Sequence, residues 1–110
     1  MTVLVAEDQR MNIEAYKITF QSIGLDKQVQ YFINGRLLVD KVYLLMQEPE
    51  RLKKRVPIDA LLLDYEMPEA NGLEVVREVK ALFAEFNQHR EGKEPLREPL
   101  YVFLSAHLEN

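Results

Sequence analysis

The chain of 110 residues contains no cysteine, which excludes disulfides and thiolate metal sites and suits a reducing compartment. It has no glycine- or proline-rich stretch long enough to be a linker, and no internal repeat. With apolar residues at 47%, a single domain spanning 1–110 is expected. No apolar run approaches the roughly 20 residues of a membrane-spanning helix. Met1 runs straight into strand-like sequence, so no signal peptide is expected ahead of the fold. Positive charge is short too. Lys and Arg total 14 against 18 Asp and Glu, and the net charge of −4 argues against a nucleic-acid surface. The basic cluster Arg51, Lys53, Lys54 and Arg55 is the local exception, read as the solvated end of a helix. The phosphate loops G-x-x-x-x-G-K-[ST] and G-x-G-x-x-G are absent. Ser105 lacks the glycine-flanked elbow of a hydrolase nucleophile.

What is present alternates between two periods. "TVLVA", Thr2–Ala6, is short, β-branched and apolar on both sides, the pattern of a buried strand. From about Arg10 the period becomes helical through Ile13, Tyr16, Phe20 and Ile23, with Gly24 as the stop. Val29–Ile33 is a second strand closed by the Asn34-Gly35 turn, and Leu37, Leu38, Val42 and Leu45 mark a second helix ended by Pro49. Residues 50–57 are charged and predict a loop. Ile58–Leu63 is a third strand, and Leu73, Val76, Val79 and Phe83 mark a third helix after Gly72. Residues 87–99 predict a loop, and Leu100–Leu104 a fourth strand. The order β-α-β-α-β-α-β with doubly buried strands predicts a doubly wound parallel sheet with helices on both faces. Tyr16 and Phe20 read as core, and His89 as exposed.

Reactive groups in such sheets gather beyond the carboxyl ends of the strands. Glu7 and Asp8 follow the first strand, Asp64 the third and Ser105 the fourth. Neighbouring first and third strands would bring three carboxylates to one edge. Two like charges about 4 Å apart repel by roughly 4 kcal/mol at an effective dielectric near 20. A carboxyl must then hold a proton, or a cation must sit among them. Oxygen donors without His or Cys favour Mg²⁺ over Zn²⁺. An aspartate beside such an ion is a suitable covalent nucleophile for a phosphoryl group. Read singly, Asp64 is a strand-ending turn acid, Asp8 an N-cap for the first helix and Ser105 a strand-end hydroxyl.

The segments "VLVAEDQRMN", "LLLDYEMPEANG" and "VFLSAH" together resemble the receiver domain of two-component response regulators. The likeness is nearest to receivers of eukaryotic hybrid histidine kinases, where an "AED" opening and inserted loops are frequent. It implies a flavodoxin-like sheet of strand order 2-1-3-4. It implies phosphorelay signalling, with Asp64 taking phosphate from a phosphohistidine on a histidine kinase or phosphotransfer protein. Asp8 would hold Mg²⁺ directly, Glu7 through water, and the Glu66 backbone carbonyl would be a further ligand. Ser105 would be the switch hydroxyl, Pro68 and Gly72 would shape the loop, and Glu66 and His107 would tune dephosphorylation. Activity would be limited to self-phosphorylation and autodephosphorylation at Asp64. The location implied is cytoplasmic, with no membrane segment and no nucleic-acid partner.

The pattern is incomplete. Receivers carry a lysine at the end of a fifth strand, and this sequence stops at Asn110, with Lys80 assigned to a helix and Lys93 to a loop. A lysine there gives a charge-assisted hydrogen bond of about 1.5–3 kcal/mol, so slow phosphorylation with less-affected Mg²⁺ binding is expected. A missing fifth helix that bares on the order of 400 Å² of apolar sheet would forfeit about 10 kcal/mol at 25 cal/mol/Å². The chain is therefore expected to be a piece of a longer protein or to be completed by a partner. The alternative function is a degenerate receiver serving as an interaction module without phosphotransfer.

Overall fold

The computed structural model describes residues 1–52, 58–65, 67, 69–90, 92 and 94–104. Four strands, β1 (Val3–Ala6), β2 (Val29–Phe32), β3 (Ala60–Asp64) and β4 (Leu100–Leu104), form one parallel sheet of order β2-β1-β3-β4. Three helices join them: α1 (Arg10–Ser22), α2 (Gly35–Leu52) and α3 (Gly72–Gln88). A short 3₁₀ turn, Asp26–Gln28, leads into β2.

The centre of the sheet is β1, and all four of its residues are buried. Successive side chains on a strand point to opposite faces, which splits its residues between two clusters. Leu4 and Ala6 join Leu61 and Leu63 of β3 under Leu38, Val42 and Met46 of α2 and Val75, Val79 and Phe83 of α3. Tyr43 and Phe86 meet edge to face at 6.2 Å, where α2 lies against α3. On the other face Val3, Val5 and Val29 are buried, with Tyr16 and Phe20 of α1 packed half-buried against them. That face is the thinner one. Ala60, Leu62, Val102 and Leu104 are only half-buried, Leu104 and Leu62 among those packed on the smaller cluster.

Several expected boundaries shift. Strand β1 starts at Val3 and β2 ends at Phe32, leaving Ile33 exposed. Helix α2 continues through Pro49 to Leu52. A proline inside a helix forfeits one amide donor and crowds the carbonyl four residues earlier, at a cost of about 3 kcal/mol, so it disfavours a helix without forbidding it. Residues 50–52 are therefore helical and place Arg51 on α2, while Lys53, Lys54 and Arg55 lie outside the described residues. The buried stripe of α2 is Leu38, Val39, Val42 and Met46, and Leu37 is exposed. In α3 it is Val75, Val79 and Phe83, and Leu73 faces outward. Strand β3 begins at Ala60, two residues later than expected, and Asp64 is its last residue. The N-cap of α1 is Gln9 with no side-chain cap bond, so Asp8 does not cap the helix. Gly24 ends α1 at φ +77, a conformation that glycine adopts without strain.

Candidate functional site

Strands β1 and β3 pair in register from Val3↔Ala60 to Ala6↔Leu63. Their carboxyl ends therefore finish side by side, and the next residues are Glu7 and Asp8 on one strand and Asp64 on the other. Carboxylate oxygens of Glu7, Asp8 and Asp64 lie within 4.8 Å of one another. Glu7 is 2% exposed, the one buried charged residue among those described, whereas Asp8 and Asp64 are half-buried. The Glu7 amide donates to the Phe32 carbonyl at 2.9 Å, which extends the β1–β2 ladder by one residue and fixes where the acid sits.

Helix α1 supplies the donors to Glu7. The Asn12 amide nitrogen donates to Glu7 Oε1 at 2.8 Å, and the Gln9 backbone N–H reaches Oε2 at 3.4 Å. Burial first, then hydrogen bonding and charge from Asp64, push the Glu7 carboxyl up to about 7 against the lowering effect of Asn12 and Gln9. The Tyr16 hydroxyl faces the same acids, and burial together with the charges of Glu7 and Asp64 raises its pKa. An all-oxygen set with this proximity, including an acid whose charge is unfavourable without a counter-ion, fits a hard divalent cation.

The loop from Asp64 to α3 is held from two sides. Gly72 N–H donates to the Tyr65 carbonyl at 3.2 Å, and a Cβ at Gly72 would stand 2.7 Å from the Asp64 carbonyl oxygen. On the other side the Arg36 N–H donates to the Glu69 carbonyl at 2.9 Å, and a Cβ at Gly35 would overlap the Ala70 carbonyl oxygen. Glu69 and Ala70 both have positive φ, 50° and 84°, unusual for residues with a Cβ. Asn71 then starts α3 with a capping box: its side chain accepts from Glu74 N–H, and Glu74 accepts from Asn71 N–H. The Arg36 guanidinium pairs with Glu78 of α3 at 2.9 Å, tying α2 to the same helix.

Of the residues expected at the site, Glu7, Asp8 and Asp64 are brought together. Glu66, Pro68, Ser105 and His107 lie outside the described residues. His89 is exposed at the end of α3. Lys80 of α3 pairs with Glu98 at 3.3 Å and lies over the Tyr101 ring, while Lys93 is outside the described residues. Asn12 was not anticipated. Its signal was its spacing: it precedes Tyr16 by four residues, so a polar side chain shares a helix face with one read as core.

Neither a scan against family models nor a search of curated proteins finds a match to the sequence. Among solved structures, the receiver domain of the Arabidopsis thaliana histidine kinase CKI1, complexed with Mg²⁺ and BeF₃⁻, superposes with a TM-score of 0.77 over 96% of this chain and 66% of its own, at 20% identity. The fold is that of a receiver domain. A point variant of the CKI1 receiver gives a TM-score of 0.80 at 18% identity, covering 96% of this chain and 66% of that one. The same receiver complexed with Mg²⁺ alone gives 0.73 at 19% identity, covering 94% and 81%. This receiver-fold chain thus spans about two-thirds of the length of the first two. The expected flavodoxin-like architecture and strand order 2-1-3-4 are those observed. Among the described residues, no helix is long and apolar enough to cross a membrane.

Proposed function

We propose that the chain is a phosphorelay receiver whose Asp64 accepts a phosphoryl group from a phosphohistidine. The observation that carries this reading is the meeting of Glu7, Asp8 and Asp64 at the carboxyl ends of adjacent central strands in a receiver fold. Asp64 is the nucleophile of choice because it closes β3 and stands half-exposed where a donor can approach. One of its oxygens bonds to phosphorus as the phosphorus–nitrogen bond breaks. The electron pair stays on the departing imidazole, which takes a proton from solvent. Glu7, Asp8 and Asp64, with the Glu66 carbonyl, would hold Mg²⁺. When bound, the ion neutralises the acids and the incoming phosphoryl oxygens. The Gly72 and Gly35 contacts hold the start of α3 against Asp64 and the start of α2 against Ala70. Roles for Ser105 as a hydroxyl donor to the phosphoryl group, and for His107, belong to the same reading and rest on the resemblance.

The partner would be a histidine kinase or phosphotransfer protein in the cytoplasm. Residues 1–110 would form one receiver-like unit, its thinner sheet face completed by a further segment or a partner. A second reading is an interaction module without phosphotransfer. Incubation with Mg²⁺ and acetyl phosphate, followed by intact mass measurement, separates the two. An adduct of one phosphoryl group that disappears in Asp64→Asn is expected. No adduct, or one that survives Asp64→Asn, leaves the interaction module.

A further inference from the structure

The Glu7 carboxylate presents a geometric problem. It is buried beside Asp64, which hydrogen-bonds to it while the pair holds a proton and repels it once both acids are ionised, as they must be to receive a cation. Two groups from the start of α1 hold the carboxylate in place. The Asn12 amide holds Oε1 at 2.8 Å and the Gln9 N–H holds Oε2 at 3.4 Å, so each oxygen has its own donor. The backbone donor exists whatever the side chain at position 9. The shorter bond depends on Asn12 alone. We propose that Asn12 is a positioning residue that fixes the plane of the Glu7 carboxylate so that this acid, with Asp8 and Asp64, receives a divalent cation.

The chemistry of an amide fits this task better than that of a cation. A lysine or arginine at position 12 would also orient Glu7, but as an ion pair it would cancel the charge that a metal needs. A neutral amide gives direction and leaves the charge in place. Asn12 is half-buried in the first turn of α1, between the exposed Met11 and the buried Ile13. Its only side-chain hydrogen bond among the described residues is the one to Glu7. Groups that orient metal ligands from behind typically contribute 10–100-fold to metal affinity.

This inference rests on the metal-site reading above, and the experiment keeps the two apart. Mg²⁺ is titrated into the wild-type chain, Asn12→Leu and Asn12→Ala in a calorimeter, with urea unfolding of each protein in chelator alongside. Leucine copies the branching of asparagine without a donor, and alanine is the fallback if leucine does not fold. Expected is a one-site isotherm for wild type and a dissociation constant raised about tenfold or more in both variants. Variants that bind Mg²⁺ as wild type does would overturn the role of Asn12. So would variants whose only change is a lower urea midpoint, the mark of a purely structural residue. If wild type itself takes up no Mg²⁺, the three-acid site fails first and the Asn12 role goes with it.

Discussion

At the scale of single residues, Glu7 links the site to pH. Its carboxyl ionises near 4.5 in an unfolded chain and at about 7 in the folded one. The folded state therefore holds the proton more tightly. Its contribution to stability is fully present below pH 4.5 and is lost as pH rises through 7. The groups facing it are Asp64 from β3, Asp8 from its own strand end, and Tyr16 and Asn12 from α1. In chelator, urea midpoints should fall between pH 5 and pH 8, and Glu7→Gln should flatten that part of the profile. Mg²⁺ should bind more weakly at pH 5.5 than at pH 8, because the ion must displace the Glu7 proton. A calorimetric titration in two buffers of different ionisation enthalpy would read that released proton directly. Apolar runs that end in Glu7, Asp8 and Asp64 make these acids legible in the sequence itself. Asn12 was not visible in the same way, because its meaning depends on which carboxylate oxygen its amide reaches.

At the scale of elements, α2 is more than a layer of the core, since its first residues grip the loop after Asp64. Alanine at Gly35 would drive a Cβ into the Ala70 carbonyl and should cost about 2 kcal/mol, read as a lowered urea midpoint. Glycine at Ala70 acts oppositely. It removes the left-handed strain at φ 84° and should raise stability by roughly 0.5 kcal/mol after the added chain entropy is deducted. Asn71→Ala should cost about 1 kcal/mol by opening the capping box. Much at this scale could be read from the sequence. Doubly buried β1 and the bounds of β4 follow from unbroken apolar runs, and α1 from the Ile13, Tyr16, Phe20 period. Pro49 misled because a proline signals a stop only on average. Leu73 misled because an apolar side chain in the first turn need not face the sheet. The Asn71–Glu74 box was legible as a polar residue followed three places later by Glu, yet it sits in a stretch that also reads as a plain turn.

At the scale of the whole molecule, the two sheet faces are unequal. Helices α2 and α3 bury one face, and among the described residues α1 alone half-covers the other. Strand β4 stands at the sheet edge with β3 as its one strand neighbour among the described residues. Its sequence "LYVFL" has no charge to deter pairing with another chain, and Leu100 and Phe103 are 67% and 45% exposed. Leu100→Lys should reduce concentration-dependent association in sedimentation velocity while changing unfolding free energy by less than about 0.5 kcal/mol. The pairing of β1 with β3 also sets a clock. Thr2 N–H bonds to Asp59 across 57 positions of chain, so the centre of the sheet closes only after a long loop has been ordered. That closing step is also the one that crowds Glu7 and Asp8 against Asp64. The acids that make the site thus retard the search that assembles it, and either a proton or a cation arriving before closure should hasten refolding.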